Sequence, residues 1–154
     1  MAEFLLQNGA DVNCLESRKL TPLYGASQNG HVETAELLIK NGADINFQDT
    51  KTRFTALHIA SKKGHYEVVR LLLKHGAEVD CLMEGGWTWT PLLLAINDRL
   101  LFMTNEQTEV VSLLIEYNAN QSVKLTDSGN SALELVLDTE NKSVLKVMLY
   151  QNNK

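Results

Sequence analysis

Residues Arg53–Asp80 read RFTALHIASKKGHYEVVRLLLKHGAEVD, and this stretch decides the fold. Thr55-Ala56-Leu57-His58 opens a short apolar run through Ile59 and Ala60, which stops at Lys63-Gly64-His65. A second run, Val68, Val69, Leu71, Leu72 and Leu73, has the spacing of a helix's buried stripe. Gly76 ends it, because glycine turns left-handed without a Cβ clash. The pattern predicts a helix, a tight glycine turn, a second helix, a glycine stop and an extended return. Neither helix can bury its apolar face alone, so such a unit requires copies of itself.

The copies are present. Thr21–Asn46 (TPLYGASQNGHVETAELLIKNGADIN) matches almost slot for slot, and Thr90–Asp98 with Glu109–Gln121 matches around an insertion. Ser131–Thr139 with Ser143–Tyr150 is a worn final copy, and Ala2–Asn13 matches the second half only. The Gly-Ala landmark recurs as Gly9-Ala10, Gly42-Ala43, Gly76-Ala77 and, degraded, Asn118-Ala119, at intervals of 33, 34 and 42 residues. Gly-His recurs at Gly30-His31 and Gly64-His65. These motifs, in phase over nearly the whole chain, resemble the ankyrin repeat family with its T-P-L-H-x-A signature and period of about 33. The resemblance implies an all-α solenoid of stacked helix-turn-helix units with protruding β-hairpin fingers. The expected organisation is one domain over 1–154. It comprises a partial repeat at 1–16, repeats at 17–49, 50–84 and 85–125 (insertion near 99–107), and a C-terminal capping repeat at 126–154.

With 154 residues, 44% of them hydrophobic, the chain can bury a sizeable core. No apolar run approaches the length of a membrane span, and a net charge of −5 argues against nonspecific nucleic-acid binding. Residues 1–77 carry nine Lys/Arg against eight Asp/Glu, whereas residues 78–154 carry five against eleven. In a quasi-one-dimensional stack that asymmetry becomes a charge gradient, unless it is only a solvated surface. Cys14 and Cys81 lie two units apart, or roughly 20 Å at ~8–10 Å per packed helix. A disulfide needs Cα atoms within about 7 Å, so free thiols and an intracellular, cytoplasmic setting are expected, with the nucleus open.

The departures from the repeat are informative. Phe4, Leu5 and Leu6 lack the first helix that would cover them, so either the chain is a piece of a longer protein or a partner covers this end. Thr21-Pro22 is a good helix start, but Tyr24 replaces the family's His and Gly25 its Leu, which weakens that unit. One extra residue lies within Phe47–Phe54, and Arg53 replaces the family's turn glycine, which predicts a re-formed finger. The third finger, Glu84–Trp89, is longer by two residues and holds both tryptophans. The third unit's helices are separated by seven extra residues; Leu100–Met103 is expected to lengthen the first helix, and Thr104 with Gln107 has capping-box spacing for an early second one. The chain finishes in polar Gln151-Asn152-Asn153-Lys154.

Little in the sequence carries chemistry. Repetition accounts for all four histidines (His31, His58, His65, His75), and nothing has metal-ligand spacing, a nucleophile elbow or a phosphate loop. No cofactor is implied. By the family resemblance, partners meet the finger tips and the exposed side of the first helices. The slot before Thr/Ser holds Leu20, Phe54, Trp89 and Asn130, so an apolar stripe is expected along the fingers, with Trp87 beside it. The alternative is that these side chains pack on one another. A second strip holds Gln28 and Asn29, Lys62 and Lys63, Asn97 and Asp98, and Asp138 and Thr139, with Arg18, Lys51 and Arg53 on the neighbouring fingers. Leu101 and Phe102 in the insertion either form an exposed contact patch or fold back over the helices.

The functional expectation is a non-enzymatic module that binds a protein or peptide with an acidic segment and an apolar anchor. Two alternatives stand beside it. One is the targeting or substrate-recognition part of a larger enzyme or ubiquitin-ligase adaptor. The other is a substrate of an asparaginyl hydroxylase at Asn13 and Asn46, whose contexts resemble accepted sites.

Overall fold

The computed structural model describes residues 2–16, 19–82, 88–96, 105–125, 129–138 and 142–151. Among them lie nine helices: α1 (Ala2–Gln7), α2 (Pro22–Gln28), α3 (Val32–Lys40), α4 (Ala56–Lys63), α5 (Tyr66–Lys74), α6 (Pro91–Ile96), α7 (Asn105–Glu116), α8 (Ala132–Asp138) and α9 (Lys142–Gln151). They pair within a unit as α2 with α3, α4 with α5, α6 with α7 and α8 with α9. Between units, α2, α4, α6 and α8 pack in sequence order as an inner layer, and α3, α5, α7 and α9 as an outer one. This is an all-α stack.

Each inner helix begins the same way. The Thr21 hydroxyl accepts from the Tyr24 amide (3.2 Å), Thr55 from His58 (3.3 Å), Thr90 from Leu93 (3.2 Å) and Ser131 from Glu134 (3.4 Å). Such caps satisfy an orphan N–H and contribute about 1 kcal/mol each. The outer helices α3, α5 and α7 also end alike. Gly42 (φ 86°) donates to Ile39 O and Ala43 to Leu38 O, both at 3.0 Å, and Gly76 (φ 90°) and Ala77 repeat this on Leu73 and Leu72. In the third unit Asn118 takes the same left-handed turn at φ 61°, so the degraded landmark keeps its geometry with the next most permissive residue.

The core runs unbroken through the stack. Val68, Val69, Leu72 and Leu73 of α5 are buried, and every residue of α6 is buried because α4 and α8 flank it while α7 covers it. At one end, Phe4 is 64% exposed while Leu6 packs partly against the core. Cys14 is exposed and Cys81 buried, both as free thiols.

Two expectations are corrected or refined. The second finger is not re-formed around Arg53, which itself takes the left-handed turn (φ 60°), as Lys19 (φ 59°) and Gly129 (φ 71°) do in the equivalent slots. The fingers are minimal hairpins: Asp49 N donates to Phe54 O (3.0 Å) and Leu125 N to Asn130 O (2.9 Å). Among the described residues the one β-bridge pairs Lys124 with Ser131. Helix α7 does begin early, at Asn105; Thr104 and the Leu100–Met103 segment lie outside the described residues.

Two glycines of the first full unit test this account in opposite directions. A Cβ on Gly25 would meet nothing within 4 Å, so Gly25→Ala is expected to stabilise the fold by about 1 kcal/mol in urea denaturation. A Cβ on Gly30 (φ 70°) would lie 2.9 Å from His65 Nδ1, so Gly30→Ala should destabilise by about 1–2 kcal/mol.

Candidate protein-interaction surface

The fingers and inner helices form one face, and its geometry is set by contacts that cross from unit to unit. His58 is fully buried and joins two units. The Thr55 N–H reaches its Nδ1 (3.2 Å), which makes Nδ1 the acceptor and places the proton on Nε2, which donates to the Trp89 carbonyl (3.2 Å). The base of the third finger is thereby held to α4. Burial lowers the His58 pKa from its ordinary 6.5 to about 4; its bonds to the Trp89 and Cys81 backbones act the other way and do not offset burial.

In the first unit Tyr24 fills the histidine slot and reaches the second finger instead. Burial pushes its hydroxyl pKa up, the Asp49 charge adds to this, and a hydrogen bond with Thr52 opposes both. Asp49 is itself 2% exposed and organises that finger. Its Oδ1 accepts from the Lys51 (2.8 Å) and Thr52 (2.7 Å) amides, and its Oδ2 from the Phe54 amide (3.1 Å) and the Thr52 hydroxyl. Burial pushes the carboxyl pKa up, but these bonds outweigh it and leave the value below the usual range.

A second set of bridges runs along the returns. Asn13 donates to Gly42 O (3.2 Å) and accepts from Asp44 N (2.8 Å). Asn46 does the same to Gly76 O (3.4 Å) and Glu78 N (3.0 Å), and Asp80 accepts from Asn120 N (2.8 Å). The Gly-His landmark is a third bridge: His65 lies against Gly30 and donates from Nε2 to Gln28 O (3.1 Å), and Gln107 takes the matching place against Gly64.

These bridges recur at the period of the sequence motifs. Residues 1–83 match the family model described as ankyrin repeats (3 copies), and residues 57–115 match the one described as ankyrin repeats (many copies). The chain is an ankyrin-repeat protein. No curated protein matches it. Ankyrin repeats are generally protein–protein interaction modules, and among the described residues no helix is long and apolar enough to cross a membrane.

In this ankyrin stack Leu20, Phe54 and Trp89 are each half-buried, so the slot before the helix cap does not project freely. The Phe54 ring stacks on His58 (centroids 5.5 Å apart, planes 4° apart), and Lys62 Nζ lies 5.8 Å from its centroid. Trp89 packs against the core. Gln28, Lys62 and Lys63 are exposed at the C-terminal ends of α2 and α4, and Arg53 is half-buried on the second finger. Arg18, Trp87, Asn97, Asp98, Leu101 and Phe102 lie outside the described residues. Sequence reasoning missed the cleft of Leu20, Tyr24, Asp49, Lys51 and Thr52, about 370 Å³ in volume. The signal for it was Tyr24, the residue out of pattern.

The neutral His58 ring makes stability depend on pH. Its folded-state pKa lies below the unfolded one, so its contribution is complete above about pH 6.5 and is lost as pH falls through 6.5 towards 4. Wild type should therefore lose about 3 kcal/mol more than His58→Gln between pH 7 and 4, measured by denaturant titration at each pH.

Proposed function

We propose that this ankyrin stack is a non-enzymatic binding module that holds a protein segment along the face formed by its fingers and inner helices. The observation that supports this most is the distribution of charge. On the outer layer Lys40 pairs with Glu36 (2.8 Å) and Arg70 with Glu67, each within one helix. On the inner face Lys51, Lys62 and Lys63 are exposed, and none meets a carboxylate among the described residues. An acidic segment laid over Lys62 and Lys63 meets uncompensated charge, which steers encounter and sets orientation more than it adds affinity. Phe54, stacked beneath Lys62, and the half-buried Trp89 supply apolar surface next to that charge.

The reading assigns the partner-binding role to Leu20, Gln28, Arg53, Phe54, Lys62, Lys63 and Trp89. Arg18, Trp87, Asn97, Asp98, Leu101 and Phe102 extend the same proposal along the sequence. His58, His65, Asn13 and Asn46 are occupied in bridges between units, which supports a structural role for them rather than a ligand-binding one.

Lys62→Glu/Lys63→Glu is expected to abolish capture of the partner from an extract of cells that make the protein, with circular dichroism and melting unchanged. Trp89→Ala should weaken capture about tenfold or more, in line with a buried aromatic anchor. Undiminished capture by both variants would place the partner on another face.

A further inference from the structure

The cleft between the first and second fingers has a chemistry of its own. Its walls are Leu20, the Tyr24 ring, Asp49, Lys51 and Thr52. Asp49 is unavailable to a ligand, because a carboxylate has about four acceptor positions and the finger's own donors occupy four: three amides and the Thr52 hydroxyl. Thr52 is committed to Asp49 by the same bond. Asp49 keeps its charge, turned into the finger's own donors. What the cleft offers a ligand is the Leu20 side chain, the exposed edge of the Tyr24 ring and one cation, Lys51, which is exposed and forms no ion pair among the described residues.

The residues lining this cleft depart from those of the neighbouring unit. In the second unit the slot before the cap holds Phe54, whose ring lies flat on His58. In the first unit that slot holds Leu20, which is smaller and has no ring to stack, and Tyr24 turns its hydroxyl towards Thr52 and Asp49. Leu20, half-buried, lines the cleft beside the edge of the largely buried Tyr24 ring. At about 370 Å³ the cleft falls at the low end of ligand-pocket volumes, which run from about 300 to 1,000 Å³, so it suits a side chain rather than a folded domain.

We propose that this cleft is the socket for one apolar side chain of the bound segment, and that Lys51 receives a carboxylate from a residue next to it. This rests on the inner-face reading above and adds to it a recognition unit, a large apolar residue adjacent to Asp or Glu, placed at the Leu20 end of the face. The acidic residues that follow along the segment lie over Lys62 and Lys63.

The test is selection of a random twelve-residue peptide library displayed on phage against the whole 154-residue chain, followed by fluorescence titration of the enriched peptides. The expected motif is a single Leu, Ile, Met or Phe adjacent to Asp or Glu. Leu20→Ser should weaken binding about tenfold, Lys51→Glu about fivefold, and changing the peptide's apolar residue to Ala about tenfold. That last change leaves the protein untouched, so it reads the socket even where a protein variant folds poorly. Loss of binding on Lys62→Glu/Lys63→Glu alone, with Leu20→Ser, Lys51→Glu and the peptide's Ala change without effect, would overturn the socket and leave the inner face standing. Indifference to all these protein variants would overturn both. No enrichment, or a motif without an apolar–acidic pair, would overturn the socket as well.

Discussion

The structure depends on one constraint: no unit buries its own apolar face. The inner helices are six to eight residues long and the outer ones of the two central units nine or twelve. Helices this short are marginal in water, so packing against the neighbouring unit supplies most of their stability. Helix α6 shows the extreme case. All six of its residues are buried, and α4, α7 and α8 provide the cover. Removing any unit would expose the faces on both sides of it.

Apolar packing alone would let the units slide. Register comes from polar bridges that repeat with the units: the Asn13, Asn46 and Asp80 returns, the His65 contact with Gly30 and Gln28, and the His58 bond to the Trp89 carbonyl. Each satisfies a backbone group of a neighbouring unit, and a one-residue slip would break that bond. The His58 bond is part-buried, where a polar group without a partner is costly, so it specifies register most strongly; the other bridges are exposed and contribute less. His58 also couples the stack to the proposed binding face. Its ring supports Phe54 on one side and anchors the base of the third finger on the other.

Charge pairing varies over the stack, and the proposed binding role draws on it. On the outer layer Lys40 and Arg70 pair with carboxylates three or four residues away in their own helices, whereas Lys74 stands exposed without such a pair among the described residues. Inner-face lysines at the end of α4 and on the second finger likewise form no ion pair among the described residues. The helix ends there favour cations, so Lys62 and Lys63 sit well in the free chain while still presenting charge to a partner. The apolar surfaces beside them, Phe54 and the Leu20–Tyr24 cleft, are small and separated by finger backbone. Such a face suits an extended segment with spaced side chains better than a broad apolar interface.

Sequence alone determined the repeating unit, its caps and its turns, because these depend on local chemistry. Thr and Ser cap where an N–H is orphaned, and Gly or Asn stands where φ must be positive. Periodicity also placed the core, since a 3.6-residue stripe faces inward wherever neighbours exist. It misjudged Arg53, because a four-bond Asp49 turn can hold an arginine in a left-handed conformation and no local rule counts those bonds. Which side chains of the face stay available was decided by tertiary structure. Phe54 and Trp89 share a slot with Leu20, yet one is stacked on His58 and the other packed on the core. The cleft beside Leu20 arises only when Tyr24, from one unit, meets Asp49 and Thr52 from the next, and contacts between residues some 25 positions apart leave no mark in a local pattern.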